Sequence, residues 1–411
     1  MQSPKPFFDT LDSLKDHDFH QQQQTLVSTL PLKAASSDFQ QAWQFLLSYR
    51  GSEATFNAYR REIERLLHWT WFVAQKSLRE LRRLDLEDFI AFCQKPPKTW
   101  IGVKNVSRFI NQSGLRVPNP AWRPFVVNLS KRAVAEGQTP NIHQYLLSQS
   151  ALQSIFSILS SFYNYLIQEE FTDVNPIALI RQKSKFLRKH QTKLVVRRLS
   201  ELQWAYVVET AEKLAAADPD KHERTLFILH ALYGMYLRIS ELAANDRWQP
   251  QMGHFFCDAY QSWWFTTVGK GNKERMVSVS DAMLEALKRY RRSLGLCALP
   301  APGDATPLIP KIQGTGPLTS TREIRKIVQH CFDQAFLHLQ QDGLSDEAQT
   351  LMSATVHWLR HTGISDDVKR RPREHVRDDA GHGSSAITDR YIDIELRERH
   401  ASAKKKPLKP V

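Results

Sequence analysis

His357-Trp358-Leu359-Arg360-His361-Thr362 is followed by Gly381-His382-Gly383 and then by Tyr391, nine positions after His382. A phenol is a poor nucleophile at neutral pH because its ordinary pKa is near ~10, so Tyr391 needs cationic company to act as one. His357 and Arg360 are three apart and on a helix project from one face, where both can hold the same anion. Gly381 lets the backbone turn tightly just before His382. Histidines, an arginine and a tyrosine, with no metal-binding carboxylate among them, point to chemistry on a phosphodiester.

Upstream, residues 225–244 are expected to form one helix, with Arg238 beside Leu232, Leu237, Ile239 and Leu242. An arginine in such company needs an anion or an acid to answer it. Glu241, three residues on, can be that acid, although the two could equally be a private surface pair. Residues 254–257, 262–268 and 275–279 are rich in aromatic and β-branched side chains and predict three short antiparallel strands. The last two are joined by Gly269-Lys270-Gly271-Asn272-Lys273-Glu274, a hairpin that holds Lys270 out at a strand end. Taken alone, such a lysine reads as solvated. Helices are expected at 282–294, 322–341 and 355–369, with a Pro- and Gly-rich loop at 299–317.

The first half reads as helical. Residues 1–37, rich in Gln and Ser, are expected to be a flexible N-terminal arm with one short helix. From 38 to 180, Phe39, Trp43, Leu46 and Leu47 recur at helical spacing, and a longer helix follows through Phe56, Tyr59, Ile63, Leu66 and Leu67. Its other face carries Arg60, Arg61 and Arg65 as candidate DNA contacts. A short helix at 84–92 is closed by Pro96-Pro97, and a strong helix is expected at 142–168.

Between them, residues 95–140 resist any single period and carry eight Lys or Arg against one acid, Glu136. This insertion either lies on DNA or is an excursion pinned to its domain by Trp100 and Trp122. The run 181–198 holds eight basic residues and no acid. As an interdomain linker it is either merely solvated or tracks phosphates through Arg181, Lys183, Lys185, Arg188 and Lys189.

With 411 residues the chain is long enough for two cores, and its formal charge of +13 favours a polyanionic partner, nucleic acid before a membrane surface. Four cysteines, none in a CxxC pair, suit a reducing compartment and support neither a zinc site nor a disulfide frame. Residues 1–10 hold no apolar run of a signal peptide. The most apolar stretch, 225–237, is broken by His230 and too short to span a bilayer. A cytoplasmic location is therefore expected, with no membrane partner.

Four blocks in order, Gly-Met-Tyr-Leu-Arg238-Ile-Ser-Glu241-Leu, Val-Gly-Lys270-Gly-Asn-Lys-Glu-Arg-Met-Val, His357-Trp-Leu-Arg360-His-Thr, and Ala-Gly-His382 with Tyr391, resemble the tyrosine recombinase (phage integrase) family of site-specific DNA recombinases. The resemblance covers 199–395 well, and 38–180 only as a basic helical region where the family keeps its core-binding domain. It implies a multidomain α and α+β fold: a helical, SAM-like core-binding domain, then a mostly helical catalytic domain with a small antiparallel three-stranded sheet. A basic tail, 396–411, follows.

Carried over by position, Arg238 and Arg360 hold the non-bridging oxygens of the scissile phosphate and Lys270 protonates the departing 5′ oxygen. His357 and His382 assist proton transfer and hydrogen-bond the phosphate, Glu241 supports Arg238, and Tyr391 is the nucleophile. The resemblance implies cutting and rejoining of double-stranded DNA through a 3′-phosphotyrosyl link, without metal, ATP or other cofactor. It further implies a tetramer on two recombining sites, a monomer or dimer off DNA, and accessory DNA-bending or directionality proteins. A topoisomerase-like nicking and closing enzyme, or a non-catalytic architectural DNA-binding protein, are the alternatives. Asp366-Asp367 and Asp378-Asp379, set among Lys and Arg, are expected to be salt-bridged surface rather than metal ligands. The polar stretch 369–375, with Pro372, predicts a short or irregular helix before His382.

Overall fold

The computed structural model describes residues 4–49, 53–129, 133–134, 137–181, 197–269, 273–388 and 404. The chain divides into two compact units, Met1–His190 and Gln191–Val411, the division falling within the basic run 181–198.

The first unit contains helices α1 (Leu11–Leu14), α2 (His17–Ser28), α3 (Ala35–Ser48), α4 (Glu53–Trp69), α5 (Arg83–Gln94), α6 (Gln149–Gln168) and α7 (Pro176–Arg181). Phe39, Trp43 and Leu46 of α3, Ile63, Leu66 and Leu67 of α4, Phe89 of α5 and Leu159 and Phe162 of α6 meet in one core. Asp38 is fully buried at its edge, where it accepts hydrogen bonds from Trp71 Nε1 (3.0 Å) and Ser77 Oγ (2.8 Å). Burial pushes its carboxyl up to about 6 in spite of those donors.

Three expectations for this unit are corrected. Residues 4–37 are no loose arm, because Phe19, Gln23 and Val27 bury one stripe of α2 and leave most of the glutamine run outside. Ahead of it, Phe7 and Phe8 are buried and their backbone N–H groups donate to Glu64 Oε1 at 2.7 and 3.1 Å. The last long helix begins at Gln149, where the Ser148 hydroxyl accepts from Ala151 N at 3.2 Å, and Leu146 is left 88% exposed.

The third correction concerns the arginines of α4. Arg65 donates to the Pro124 carbonyl (2.8 Å) and pairs with Glu62 (2.9 Å), and Arg60 donates to the Asp9 carbonyl. These two hold neighbouring segments to the helix, which leaves Arg61 as the exposed member of the predicted DNA-binding set on α4.

The insertion is built on two pairs of short strands, β1 (Ile101–Gly102) parallel to β4 (Phe125–Val126) and β2 (Phe109–Gln112) antiparallel to β3 (Leu115–Pro118). Trp100, Phe109, Trp122 and Phe125 are buried. Arg108 pairs with Glu64, and Arg116 with Asp9 at 2.6 Å. The tryptophans pin the excursion, and part of its positive charge is neutralised inside the unit.

In the second unit, helices α8 (Glu201–Ala217), α9 (Pro219–Gly234), α10 (Ile239–Leu242), α11 (Asp281–Ser293), α12 (Thr321–Gln341), α13 (Ser345–Met352), α14 (Val356–Asp367), α15 (Arg373–Ala380) and α16 (Ser385–Thr388) accompany an antiparallel sheet. Its strands are β5 (Phe255–Cys257), β6 (Trp263–Val268) and β7 (Glu274–Ser278), with β6 in the middle. Val207, Leu226, Leu229, Val328, Phe332 and Leu359 pack the core, with Phe255, Phe265 and Val277 covering it from the sheet. Among the described residues no helix is long and apolar enough to cross a membrane.

The single helix expected at 225–244 is in fact two. Helix α9 stops at Gly234, Tyr236 takes a left-handed conformation (φ 49°), and Arg238 is the N-cap of α10. The apolar period runs through the break, which is why sequence spacing misses it. The Glu241 carboxylate accepts the Arg238 backbone N–H at 2.9 Å, so the pair is a helix start as well as an ion pair.

Candidate active site

Helix α14 carries His357, Arg360 and His361 on one face. Its approach to α9 is set by Gly363, where an added Cβ would lie 2.0 Å from the Tyr233 carbonyl oxygen. Arg360 is 2% exposed and donates to the carbonyl oxygens of Tyr236 and Ala380. The left-handed turn at Tyr236 thus has a use: it presents a carbonyl to the guanidinium. Tyr236 is itself fixed by hydrogen bonds from its hydroxyl to Asp367 and from Arg371 Nη1 (3.0 Å).

Arg238 lies at the mouth of the same region, its side chain 27% exposed, with Nη1 2.9 Å from Glu241 Oε1. Glu241 also receives both Nη atoms of Arg275, at 2.7 and 2.8 Å. Burial raises the Glu241 carboxyl, but the hydrogen bonds and charge of Arg275, and then Arg238, outweigh it and hold the group below the usual carboxylate range. Gly269, at the end of β6, comes so close that a Cβ there would be 3.1 Å from Arg275 Nη1 and 3.4 Å from Arg238 Nη1. This brings the backbone that precedes Lys270 against the arginine pair.

His382 follows Gly381, whose left-handed conformation (φ 63°) ends α15; the His382 N–H then closes the turn on the Arg377 carbonyl at 3.1 Å. Helix α15 is short, as expected, yet regular, with Val376 and Ala380 buried beneath it. His382 Nδ1 is 2.9 Å from Thr388 Oγ1. Burial, then Arg360, Arg238 and Arg275, push its imidazole down to about 4. Burial, then His357, Arg360 and His382, push His361 down to about 4, and burial with Arg360 and Arg238 lowers His357. The rings of His357 and His361 are 4.2 Å apart, edge to face. Three arginines and three neutral imidazoles therefore share one electrostatic neighbourhood.

The acidic pairs are corrected in part. Asp378 is an exposed partner of Arg377, but Asp379 is 5% exposed and accepts from Ser278 N (3.0 Å), Ser278 Oγ and Arg371 Nη2 (2.6 Å). Asp366 accepts from the Tyr233 hydroxyl at 2.9 Å. These carboxylates brace the site from within. Sequence reading passed over Arg275, Arg371, Tyr236 and Gly363; for Arg275 the signal was present, since it lies in the same block as Lys270.

Of the predicted site residues, Arg238, Glu241, His357, Arg360 and His382 are brought together. Lys270, Tyr391, Lys183, Lys185, Arg188, Lys189 and the tail other than Lys404 lie outside the described residues; Arg181 ends α7.

The depressed imidazoles fix a pH dependence. Between about 6.5 and about 4 the unfolded chain binds protons that folded His361 and His382 do not, so stability falls as pH falls through that window. Urea midpoints followed at pH 7.5 and 5.0 should show the drop, and a midpoint that holds or rises at pH 5.0 contradicts the assignment.

No family model matches the chain. A tyrosine recombinase XerC of Pediococcus pentosaceus (strain ATCC 25745 / CCUG 21536 / LMG 10740 / 183-1w) is 29% identical over 154 residues, 36% of this chain and 43% of the relative. One of Thermodesulfovibrio yellowstonii (strain ATCC 51303 / DSM 11347 / YP87) is 27% identical over 263 residues, 61% of this chain and 73% of the relative. The chain spans less than half the length of the first of these relatives. The crystal structure of XerH site-specific recombinase bound to palindromic difH substrate, a post-cleavage complex, shares the fold at a TM-score of 0.51 and 14% identity, covering 98% of this chain and 99% of that one. In sequence over part of its length, and in fold, the chain is similar to tyrosine recombinases.

Proposed function

We propose that this chain is a site-specific DNA recombinase that cuts and rejoins duplex DNA through a covalent link between Tyr391 and a 3′ phosphate. The observation that carries the reading is the gathering of Arg238, Arg360, His357 and His382 in one neighbourhood. Covalent geometry adds to it. Tyr391 follows Thr388 by three residues, and three peptide units span at most ~11 Å, while the Thr388 hydroxyl is already in contact with His382.

In the proposed step the Tyr391 oxygen attacks phosphorus and the bond from phosphorus to the 5′ oxygen breaks. The phenolic proton passes to one of the neutral imidazoles, His357 or His382, and Lys270 gives a proton to the 5′ oxygen. Arg238 and Arg360 stabilise the charge that builds on the non-bridging oxygens, in a partly buried site where fixed donors act more strongly than in water. Their planar forks suit two oxygens at once. Religation by the same path conserves the ester bond, so a 5′ hydroxyl from a partner duplex yields strand exchange. The basic run from Arg181 to Lys189 and the exposed Arg61 would supply sequence-independent phosphate contacts.

Lys270→Ala tests the assignment of roles. On duplexes taken from the junctions flanking the gene, it should slow covalent capture of ordinary DNA on the order of 10²-fold or more. DNA whose bridging 5′ oxygen is replaced by sulfur, a better leaving group, should be spared. Equal slowing on both substrates would deny Lys270 the acid role.

A further inference from the structure

Arg275 is a heavily engaged cation of the second unit that the proposed chemistry does not use. Both of its terminal nitrogens are bound to Glu241, at 2.7 and 2.8 Å, and its Nε donates to the Asp379 carbonyl at 2.9 Å. Its side chain is 10% exposed, so these bonds are made away from water. The aliphatic part runs beneath Gly381, where a Cβ would lie 2.8 Å from Arg275 Cδ. One side chain therefore ties the start of α10, with Arg238, to the turn that carries His382. It does so from β7, the strand that follows the Lys270 hairpin.

We propose that Arg275 is a positioning residue that sets His382 against Arg238, through Glu241 on one side and the Asp379–Gly381 backbone on the other. This rests on the recombinase reading for the use made of His382, but the geometric claim stands apart from it. Lysine in place of Arg275 keeps the charge but lacks the fork, and it cannot reach a carboxylate with two nitrogens and a carbonyl with a third. Among the described residues, Arg360, Arg238 and His361 also face His382.

The test uses the full chain and two readouts. In the first, histidine NMR follows the titration of His382 in wild type and in Arg275→Lys. A mere field effect leaves the midpoint where it was, because the positive charge is retained. Loss of positioning frees the ring toward water and raises the midpoint from about 4 toward 6.5. An unmoved midpoint in a folded Arg275→Lys protein overturns the proposal.

Should that variant fail to fold, Gly381→Asn serves instead. Asparagine tolerates the left-handed conformation, so the substitution chiefly presses a Cβ on Arg275, and the same rise is expected; an unmoved midpoint again overturns the proposal. In the second readout, Arg275→Lys and His382→Gln are each expected to slow covalent capture, on the order of 10²-fold. The double variant should be little slower than the worse single one, since both act through one imidazole. Multiplied effects mean independent action and overturn the proposal. A wild type that forms no adduct at all would sink the recombinase reading while leaving the titration arm to decide Arg275.

Discussion

Gly363→Ala is expected to unfold or badly loosen the second unit. Two effects oppose each other at this position. A helix interior gains about 1 kcal/mol when alanine replaces glycine. Against that stands a Cβ placed 2.0 Å from the Tyr233 carbonyl oxygen and 3.2 Å from the Tyr236 ring. The nearer obstacle is backbone of α9 and cannot rotate aside, so α14 must move bodily away from α9. Overpacking in a core costs about 1–3 kcal/mol and occasionally more, and a clash this deep with backbone belongs at or beyond the upper end. The contact term therefore wins. The movement would also draw Arg360 away from the Tyr236 carbonyl, three residues from the clash. Urea unfolding should show a midpoint well below wild type, together with loss of DNA cleavage; a midpoint at or above the wild-type value would mean that the two helices do not approach as described.

Glu241→Ala is expected to have an effect of similar size for an electrostatic reason. The carboxylate is 1% exposed and answers Arg238 and Arg275 together. Removing one member of a buried ion cluster leaves the others uncompensated, at about 3–5 kcal/mol. The helix start at Arg238 is lost as well, because Glu241 Oε2 accepts its backbone N–H. Glu241→Gln keeps the shape but turns an N–H toward a guanidinium, so it should fall between wild type and alanine in denaturant midpoint. The order wild type, glutamine, alanine is the expected result; alanine equal to wild type would reduce the cluster to a solvated surface pair.

Much of this site could be read from the chain. The three strands fall where aromatic and β-branched residues cluster, and the helix bearing His357 and Arg360 follows its apolar spacing. What escaped did so for physical reasons. The break at Tyr236 is hidden because Leu232, Met235, Ile239 and Leu242 keep a helical period across it, and the cap that restarts the helix is an arginine with a glutamate three residues later. The stripe of Phe19, Gln23 and Val27 is masked by glutamines when composition is averaged over the N-terminal segment. Asp379 reads as surface beside Asp378, Arg377 and Glu374, and only the turn of α15 shows that it points at Ser278 and Arg371. Arg275 alternates with exposed residues on β7, and nothing in that alternation reveals three hydrogen bonds to two distant segments.

The cation cluster gives the central claim its force. Phenolate formation is favoured where positive charge is already fixed, and in this fold that charge is held by backbone carbonyls and a buried glutamate rather than by mobile surface pairs. A nucleophile supplied at that point needs little further help from the solvent.

The most direct measurement is to trap the protein on a nicked duplex from the gene's own flanking junctions, in the presence of EDTA, digest the denatured adduct, and locate the nucleotide mass by tandem mass spectrometry. The account predicts that the mass sits on Tyr391 through a 3′ phosphate and vanishes in Tyr391→Phe, while DNA binding persists. A nucleotide on any other residue, an adduct that survives Tyr391→Phe, or cleavage that requires an added divalent ion would contradict it.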